Sequence, residues 1–274
     1  MAYRPSFKKD EFHHNTGHYE INLGGRKILY AYIRKNACTA FRRLLNDEYH
    51  RLHPPAEGKK QRSREDFLLS GNMKEFLVLR KNLRNVDAYD NTVFVYRDPL
   101  DRLISVFTNK FIADKGAKDI KRNFEGLTGL RFDDATFDDF IDYAKHDFKQ
   151  LDRHLWPQKA HLWDIKYTDA IRIDHLQQSM RSLIGPGRSR KWFGRKVNSS
   201  MEVRTASSEV LTSVPVSDLR HYQVEGRELG KKNFTTEKVR EFVAERYSQD
   251  VEMISAIEVV SRPDEVARAG TDAK

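Results

Sequence analysis

The sequence predicts an α/β fold, a three-layer, P-loop-like parallel sheet flanked by helices. Three observations predict it. Residues 28–33 are an apolar run of strand length that passes through a tight turn, 34–39, into a segment where Phe41, Leu44 and Leu45 fall at helical spacing. Residues 92–96 repeat the arrangement: a β-branched and aromatic run, then Asp98 and Pro99, then Leu100, Leu103, Ile104, Phe107 and Phe111 as one apolar stripe. The 274 residues suffice for one large α/β domain, with or without small insertions, and for a sizeable core. The expected organisation is an N-terminal arm over 1–27, the domain over 28–260, and a disordered tail over 261–274.

Charge narrows the partners without choosing one. Charged residues make up 32% of the chain and the formal net charge is +9, which favours nucleotides, acidic glycans, nucleic acid or a membrane surface. The single cysteine excludes an internal disulfide and a multi-cysteine zinc site, and suits a reducing compartment. No stretch approaches the ~20 apolar residues of a membrane span, and the first residues lack the apolar core of a secretory signal. A soluble, cytoplasmic protein is expected, with peripheral membrane contact left open.

Taken in order, residues 1–27 are polar and carry His13, His14 and His18 close together. A solvated arm is the preferred reading over a metal site. The turn at 34–39 is the first stretch with chemistry. A strand running straight into a helix leaves the first helical N–H groups unpaired, at the positive end of the helix dipole. That end carries Lys35 and the hydroxyl of Thr39, with Asn36 and the small residues Ala37, Cys38 and Ala40 around them. The residues read as a phosphate- or sulfate-cradling loop. It is not a Walker A loop, because the glycines and the Gly-Lys-Ser/Thr ending are missing.

Residues 46–75 read as polar, basic surface, with His50 and His53 just past the helix; 76–79 read as a short strand or helix end. At the second strand's end Asp98 is placed to cap a helix and Pro99 to begin it. Arg102, Ser105 and Asn109 form a polar flank on that helix. Arg97 and Ser105 can grip one phosphate between them. The alternative is that Arg97 pairs with Asp98 or Asp101 and Ser105 is merely a small helix residue.

Residues 113–133 read as an exposed excursion, a lid or acceptor-binding loop. Phe137, Phe140, Ile141 and Ala144 mark an amphipathic helix, 170–173 a strand, and Leu176, Met180, Leu183 and Ile184 another helix. Residues 185–200 read as a glycine-containing basic loop whose Trp192 and Phe193 suit a nucleotide base and its phosphates, or nucleic acid. Residues 201–233 show no clear pattern. Thr235 or Thr236 can cap a last helix carrying Val239, Phe242, Val243, Tyr247, Val251 and Ile254.

Two stretches carry a family resemblance. Arg34-Lys35-Asn36-Ala37-Cys38-Thr39-Ala40-Phe41-Arg42-Arg43 matches the form Pro-Lys-x-Ala-Cys-Thr-x-x-(Lys/Arg)-Arg, and Arg97-Asp98-Pro99, Arg102-Leu103, Ser105 and Asn109-Lys110-Phe111 match Arg-(Asp/Glu)-Pro-x-x-Arg-Leu-x-Ser followed by Asn-Lys-Phe. Both motifs, in this order, resemble those of the carbohydrate sulfotransferase family: the Golgi enzymes of the chondroitin, dermatan and HNK-1 type and their bacterial relatives. The later His154-Leu155-Trp156-Pro157 is similar to their His-Trp element, and Tyr247 to Asp250 to their Tyr-x-x-Asp helix end.

The resemblance implies a 28–260 sulfotransferase domain that uses 3′-phosphoadenosine 5′-phosphosulfate (PAPS) as donor and requires no metal. It implies that the loop from Lys35 to Ala40 holds the 5′-phosphosulfate, that Arg97 and Ser105 hold the 3′-phosphate, and that Lys35 acts in an in-line sulfuryl transfer. His154 is the first candidate for the general base, with His50 and His53 as rivals. Arg195 and Ser199, with Trp192, Phe193 and Lys196, are further candidates for nucleotide contacts. The acceptor implied is a carbohydrate: a glycan, lipopolysaccharide or glycolipid. Two departures stand out. Arg34 replaces the motif proline, and the Golgi anchor and paired cysteines of the animal enzymes are missing, which favours a cytosolic, bacterial-type enzyme. Three rival readings compete with it: a P-loop-type nucleotide kinase, a nucleic-acid-binding protein, and a non-catalytic nucleotide-binding module. No nucleic-acid partner is expected.

Overall fold

A computed structural model describes residues 2–14, 16–23, 25–54, 72–194, 209–226 and 229–260. The chain divides into two compact units, one of Met1–Tyr96, Gln158–Val197 and Met253–Lys274, the other of Arg97–Pro157 and Asn198–Glu252.

The first unit is built on a sheet. Among the described residues its five strands are β1 (His18–Leu23), β2 (Arg26–Ala31), β3 (Leu77–Val78), β4 (Asn91–Tyr96) and β5 (Asp169–Arg172), in the order β3-β1-β2-β4-β5. β2, β4 and β5 are parallel, with Ala31 opposite Phe94 and Tyr96 opposite Arg172. β1 is antiparallel to both β2 and β3. The sheet is therefore mixed, and the expected parallel sheet is correct only for its β2-β4-β5 part. The difference comes from the N-terminal stretch. Instead of a solvated arm it supplies β1, which folds back on β2 through a turn where Gly25 takes φ 78°, a conformation open to glycine without steric cost.

Alternation along β2 and β4 serves both faces. Ile28 and Tyr30 join Val93, Val95 and Ile171 on one face, under α1 (Cys38–Leu52), α5 (Leu176–Ile184) and α6 (Pro186–Phe193). Leu29, Ala31, Phe94 and Tyr96 face the other way, against Leu162, Trp163, Ile165, Tyr167 and, from α10 (Ser248–Val260), Met253 and Ile257. Strands covered on both faces read as continuous apolar runs, which is what made β2 and β4 visible in the sequence.

Helix α6 corrects one expectation. Residues 186–193 are helical, with Pro186 in the first turn, and Trp192 and Phe193 are 6% and 7% exposed in the core beneath β2. They pack against Phe41 and its neighbours, the Phe41 and Phe193 ring centroids lying 5.0 Å apart. These aromatics are core and are withdrawn as nucleotide contacts.

The second unit is helical: α2 (Pro99–Val106), α3 (Lys118–Thr128), α4 (Phe137–Tyr143), α7 (Val216–Val224), α8 (Lys231–Phe234) and α9 (Glu237–Arg246). A π-helical stretch, Phe107–Ile112, continues α2. Its core is a phenylalanine cluster. Phe107 lies 4.9 Å from Phe137 and 5.3 Å from Phe234, within the range where aromatic pairs add to burial, and Phe111 stacks on Phe132 at 4.3 Å. The stretch 113–133, expected as an exposed excursion, is largely exposed, but α3 buries Ile120 and Phe124 in this core, and Phe132 follows them inside. The expected last helix is two, α9 and α10, with Tyr247 between them; Thr236, as one of the two expected caps, accepts from the Val239 N–H.

Candidate functional site

The loop after β2 is unusual in its backbone. Lys35 has φ 70° and Ala37 φ 58°. A non-glycine residue in the left-handed region costs about 1–3 kcal/mol and persists only where its surroundings over-determine it. Two such residues bracket Asn36, and α1 begins immediately afterwards at Cys38. No side chain caps α1 at Ala37, so its first amides are not met by a capping group of their own.

Asn36 faces inward. It is wholly buried, its N–H bonds the Ile33 carbonyl at 3.2 Å, and its Nδ2 donates to the Val95 carbonyl at 2.8 Å and to Gln158 Oε1 at 2.6 Å. Lys35, Ala37, Cys38 and Thr39 are half-buried at the loop's surface. Ala40 differs from them. It packs into the core, and its N–H is taken by the Ala37 carbonyl at 2.9 Å as a member of the first helical turn. Burial above all pushes the pKa of the nearby Tyr32 hydroxyl up, and the Cys38 thiol adds to the effect.

Within the sheet β2 and β4 are parallel neighbours, so their carboxyl ends lie at the same edge. Arg97 is the residue directly after Tyr96 at the end of β4 and is half-buried. Asp98 does cap α2, accepting from the Asp101 N–H at 2.9 Å, while Asp101 pairs with Lys231 at 2.6 Å. Ser105 is half-buried on α2.

Arg102 is not on a polar flank. It is 3% exposed and its Nη1 donates to the Trp156 carbonyl at 2.8 Å. Tyr247, also buried, donates its hydroxyl to the neighbouring Leu155 carbonyl at 3.0 Å. Arg102 and Tyr247 thus fix the backbone that follows His154. Helical spacing sets Arg102 apart from the apolar stripe, and only the contact with Trp156 accounts for its burial. Lys110 likewise turns inward, donating to the carbonyls of Lys115 at 2.7 Å and Gly116 at 2.9 Å.

His154 Nδ1 lies 2.5 Å from Asp152 Oδ1, and both side chains are 12% exposed. A carboxylate accepts, so this contact assigns the Nδ1 proton to the histidine and leaves Nε2 as the basic nitrogen. The rivals are differently placed, in the first unit. His53 Nε2 is held by the Glu75 carboxylate at 2.9 Å, and the His50 Nε2 is buried on α1. His13 bonds the Leu162 carbonyl at 2.8 Å, and His18 is wholly buried against Trp163. Arg195, Lys196 and Ser199 lie outside the described residues.

The structure thus brings Lys35, Asn36, Ala37, Cys38 and Thr39 together in the first unit, and carries Arg97, Ser105 and His154 in the second. Sequence reasoning missed Gln158 and Asp152, whose roles rest on contacts. A cavity of about 470 Å³ lies at the other end of β2, lined by Asn22, Leu23, Gly25, Arg26, Lys27, Arg51 and Arg188. Its cations are partly met nearby, Lys27 by Glu20 at 3.2 Å and Arg51 by Glu48 at 2.8 Å. Among the described residues no group of three or more His, Cys, Asp or Glu is arranged to hold a metal ion, and no helix is long and apolar enough to cross a membrane.

Comparison with known proteins gives one match. The model described as "Sulfotransferase family" matches residues 23–254, a span that takes in both motifs, His154 and Tyr247. No curated protein and no solved structure matches.

Proposed function

The chain belongs to the sulfotransferase family, and from that membership we propose that it moves a sulfuryl group from PAPS to a hydroxyl of a carbohydrate-type acceptor: a glycan, a lipopolysaccharide or a glycolipid. One observation carries the reading. The loop after β2 presents Lys35 and Thr39 beside an uncapped helix start, with two left-handed residues shaping its backbone. That combination of cation, hydroxyl and uncapped helix start fits a phosphosulfate group.

In this reading the acceptor oxygen bonds to sulfur as the sulfur–oxygen bond to the nucleotide's 5′-phosphate breaks, in line. Negative charge gathers on the leaving phosphate, where Lys35 meets it. Thr39 and the loop amides hold the non-bridging oxygens. Arg97 and Ser105 take the 3′-phosphate. His154 Nε2 accepts the acceptor's proton, with Asp152 holding the ring's tautomer and steadying the imidazolium that results. Fixed donors aimed at developing charge supply most of the acceleration, as in phosphoryl transfer. Cytoplasmic placement belongs to the same proposal and rests on the lone thiol, Cys38. The burial of Trp192 and Phe193 removes the aromatic support for a nucleic-acid partner.

The test is transfer of label from radiolabelled PAPS to cell-extract glycans and lipids. Lys35→Ala is expected to lower kcat by about a hundredfold or more while the fold stays intact. Arg97→Ala is expected to weaken binding of adenosine 3′,5′-bisphosphate about tenfold by calorimetry. Normal turnover in Lys35→Ala removes the role of that lysine. Binding of Mg-ATP in place of PAPS overturns the donor.

A further inference from the structure

We infer that Asn36 and Gln158 form a buried latch that holds the donor loop in shape, and that Gln158 is a positioning residue for the transfer, acting through Asn36 on Lys35. The catalytic part of this inference rests on the function proposed above; the latch itself rests on contacts within the first unit.

The argument starts from the backbone. Lys35 and Ala37 occupy the left-handed region without being glycine, and nothing in their own chemistry favours it. Something between them must supply the constraint. Asn36 is the residue between them, and its side chain spends both Nδ2 hydrogens on fixed acceptors, the Val95 carbonyl of β4 and Gln158 Oε1. Two carbonyl acceptors also fix which way the amide points, since an amide oxygen cannot face either one. The remaining atom, Asn36 Oδ1, is buried with no hydrogen-bond partner among the described residues. A buried, unmet oxygen opposes stability. An apolar side chain would fill the space without that cost, but it would supply no directional bond. The asparagine fits a need for position more than for stability.

Gln158 is itself held from outside. Next to it, the Lys159 ammonium donates to both Glu11 carboxylate oxygens at 2.9 Å. The Ala160 carbonyl accepts from the His14 N–H at 3.1 Å, and the His161 carbonyl from Thr16 Oγ1 at 2.8 Å. Trp163 Nε1 returns a bond to the Thr16 carbonyl at 2.8 Å. The N-terminal stretch therefore pins residues 159–163, that segment presents Gln158, and Gln158 holds Asn36. The loop carrying Lys35 is the last link. Placement of a catalytic cation matters at this scale, because a misplacement of about 1 Å can cost about a hundredfold in rate.

The experiment uses the full chain. Gln158→Met keeps the length of the side chain and deletes the acceptor; Gln158→Glu keeps an acceptor oxygen. Hydrogen exchange of the amides of residues 33–40 is expected to quicken about tenfold or more in Gln158→Met and to stay near wild type in Gln158→Glu, with β1 and β4 amides unchanged in both. The Gln158→Met variant is expected to lose about tenfold in kcat with KM for the acceptor unchanged, and Gln158→Glu to restore it. Unchanged exchange at 33–40 in Gln158→Met, or equally fast exchange in Gln158→Glu, overturns the latch. If Gln158→Met does not fold, Asn36→Asp, which cannot donate to Val95, decides by the same exchange measurement. A wild-type chain that moves no label from PAPS refutes the donor while the exchange result still decides the latch. Faster exchange with full kcat confines Gln158 to a structural part and overturns its positioning role.

Discussion

His18 lies flat against Trp163, ring centroids 3.7 Å apart, with Nε2 2.7 Å from the Tyr167 hydroxyl. Burial above all lowers its pKa from 6.5 to about 3. The unfolded chain therefore binds a proton that the folded chain refuses across that window. The neutral ring's contribution is fully present above pH 6.5 and is lost as pH falls toward 3, at about 1.4 kcal/mol per pH unit. Denaturant melts from pH 7 down to pH 4 should show this slope, and His18→Phe, which keeps a ring against Trp163 but cannot titrate, should flatten it by about one proton. Equal slopes in the two proteins would assign the pH dependence to other groups. The same lesson holds for Arg102 and Lys110: residues that look like surface charges are fastened inward to carbonyls, Trp156 for one and Lys115 and Gly116 for the other.

At the scale of elements, the loop after β2, β4 and α2 were legible because their signals are local. Asp98 and Pro99 start α2 whatever lies beyond them, through a cap and a fixed φ. Helices α4 and α5 were legible from their apolar spacing, and Phe137, Phe140, Ile141, Met180 and Leu183 are indeed buried. Residues 185–194, and the buried side of 113–133, were missed for the opposite reason. Their glycines and cations suggest loops, and only the core decides that Phe124, Trp192 and Phe193 must be covered. Trp192→Ala should therefore lower stability by about 3–5 kcal/mol in denaturant unfolding, while affinity for adenosine 3′,5′-bisphosphate in the folded protein stays within about twofold. A large loss of that affinity without loss of stability would return Trp192 to the nucleotide.

Over the whole molecule, the first unit is assembled from three separate pieces of chain, and the N-terminal piece joins them in ways its polar composition hides. Tyr3 pairs with Tyr167 through two backbone bonds of 2.7 Å, Lys159 meets Glu11 with its side chain 5% exposed, and β1 lies between β3 and β2. Deleting residues 2–16 should expose this buried ammonium's segment and lower the melting temperature by about 5 °C or more. A truncated chain that melts with the full one would show that the N-terminal contacts contribute nothing to stability.

By itself the sequence determined the two strand–turn–helix elements and membership of a sulfotransferase family, since periodicity, capping and motif spacing all act within a few residues. Tertiary structure alone decided that β1 lies between β2 and the distant β3, that Asn36 turns inward to a partner 122 positions away, and that Trp192 is core. Those outcomes depend on which distant segments meet, and burial and hydrogen bonding between them leave no mark on local spacing.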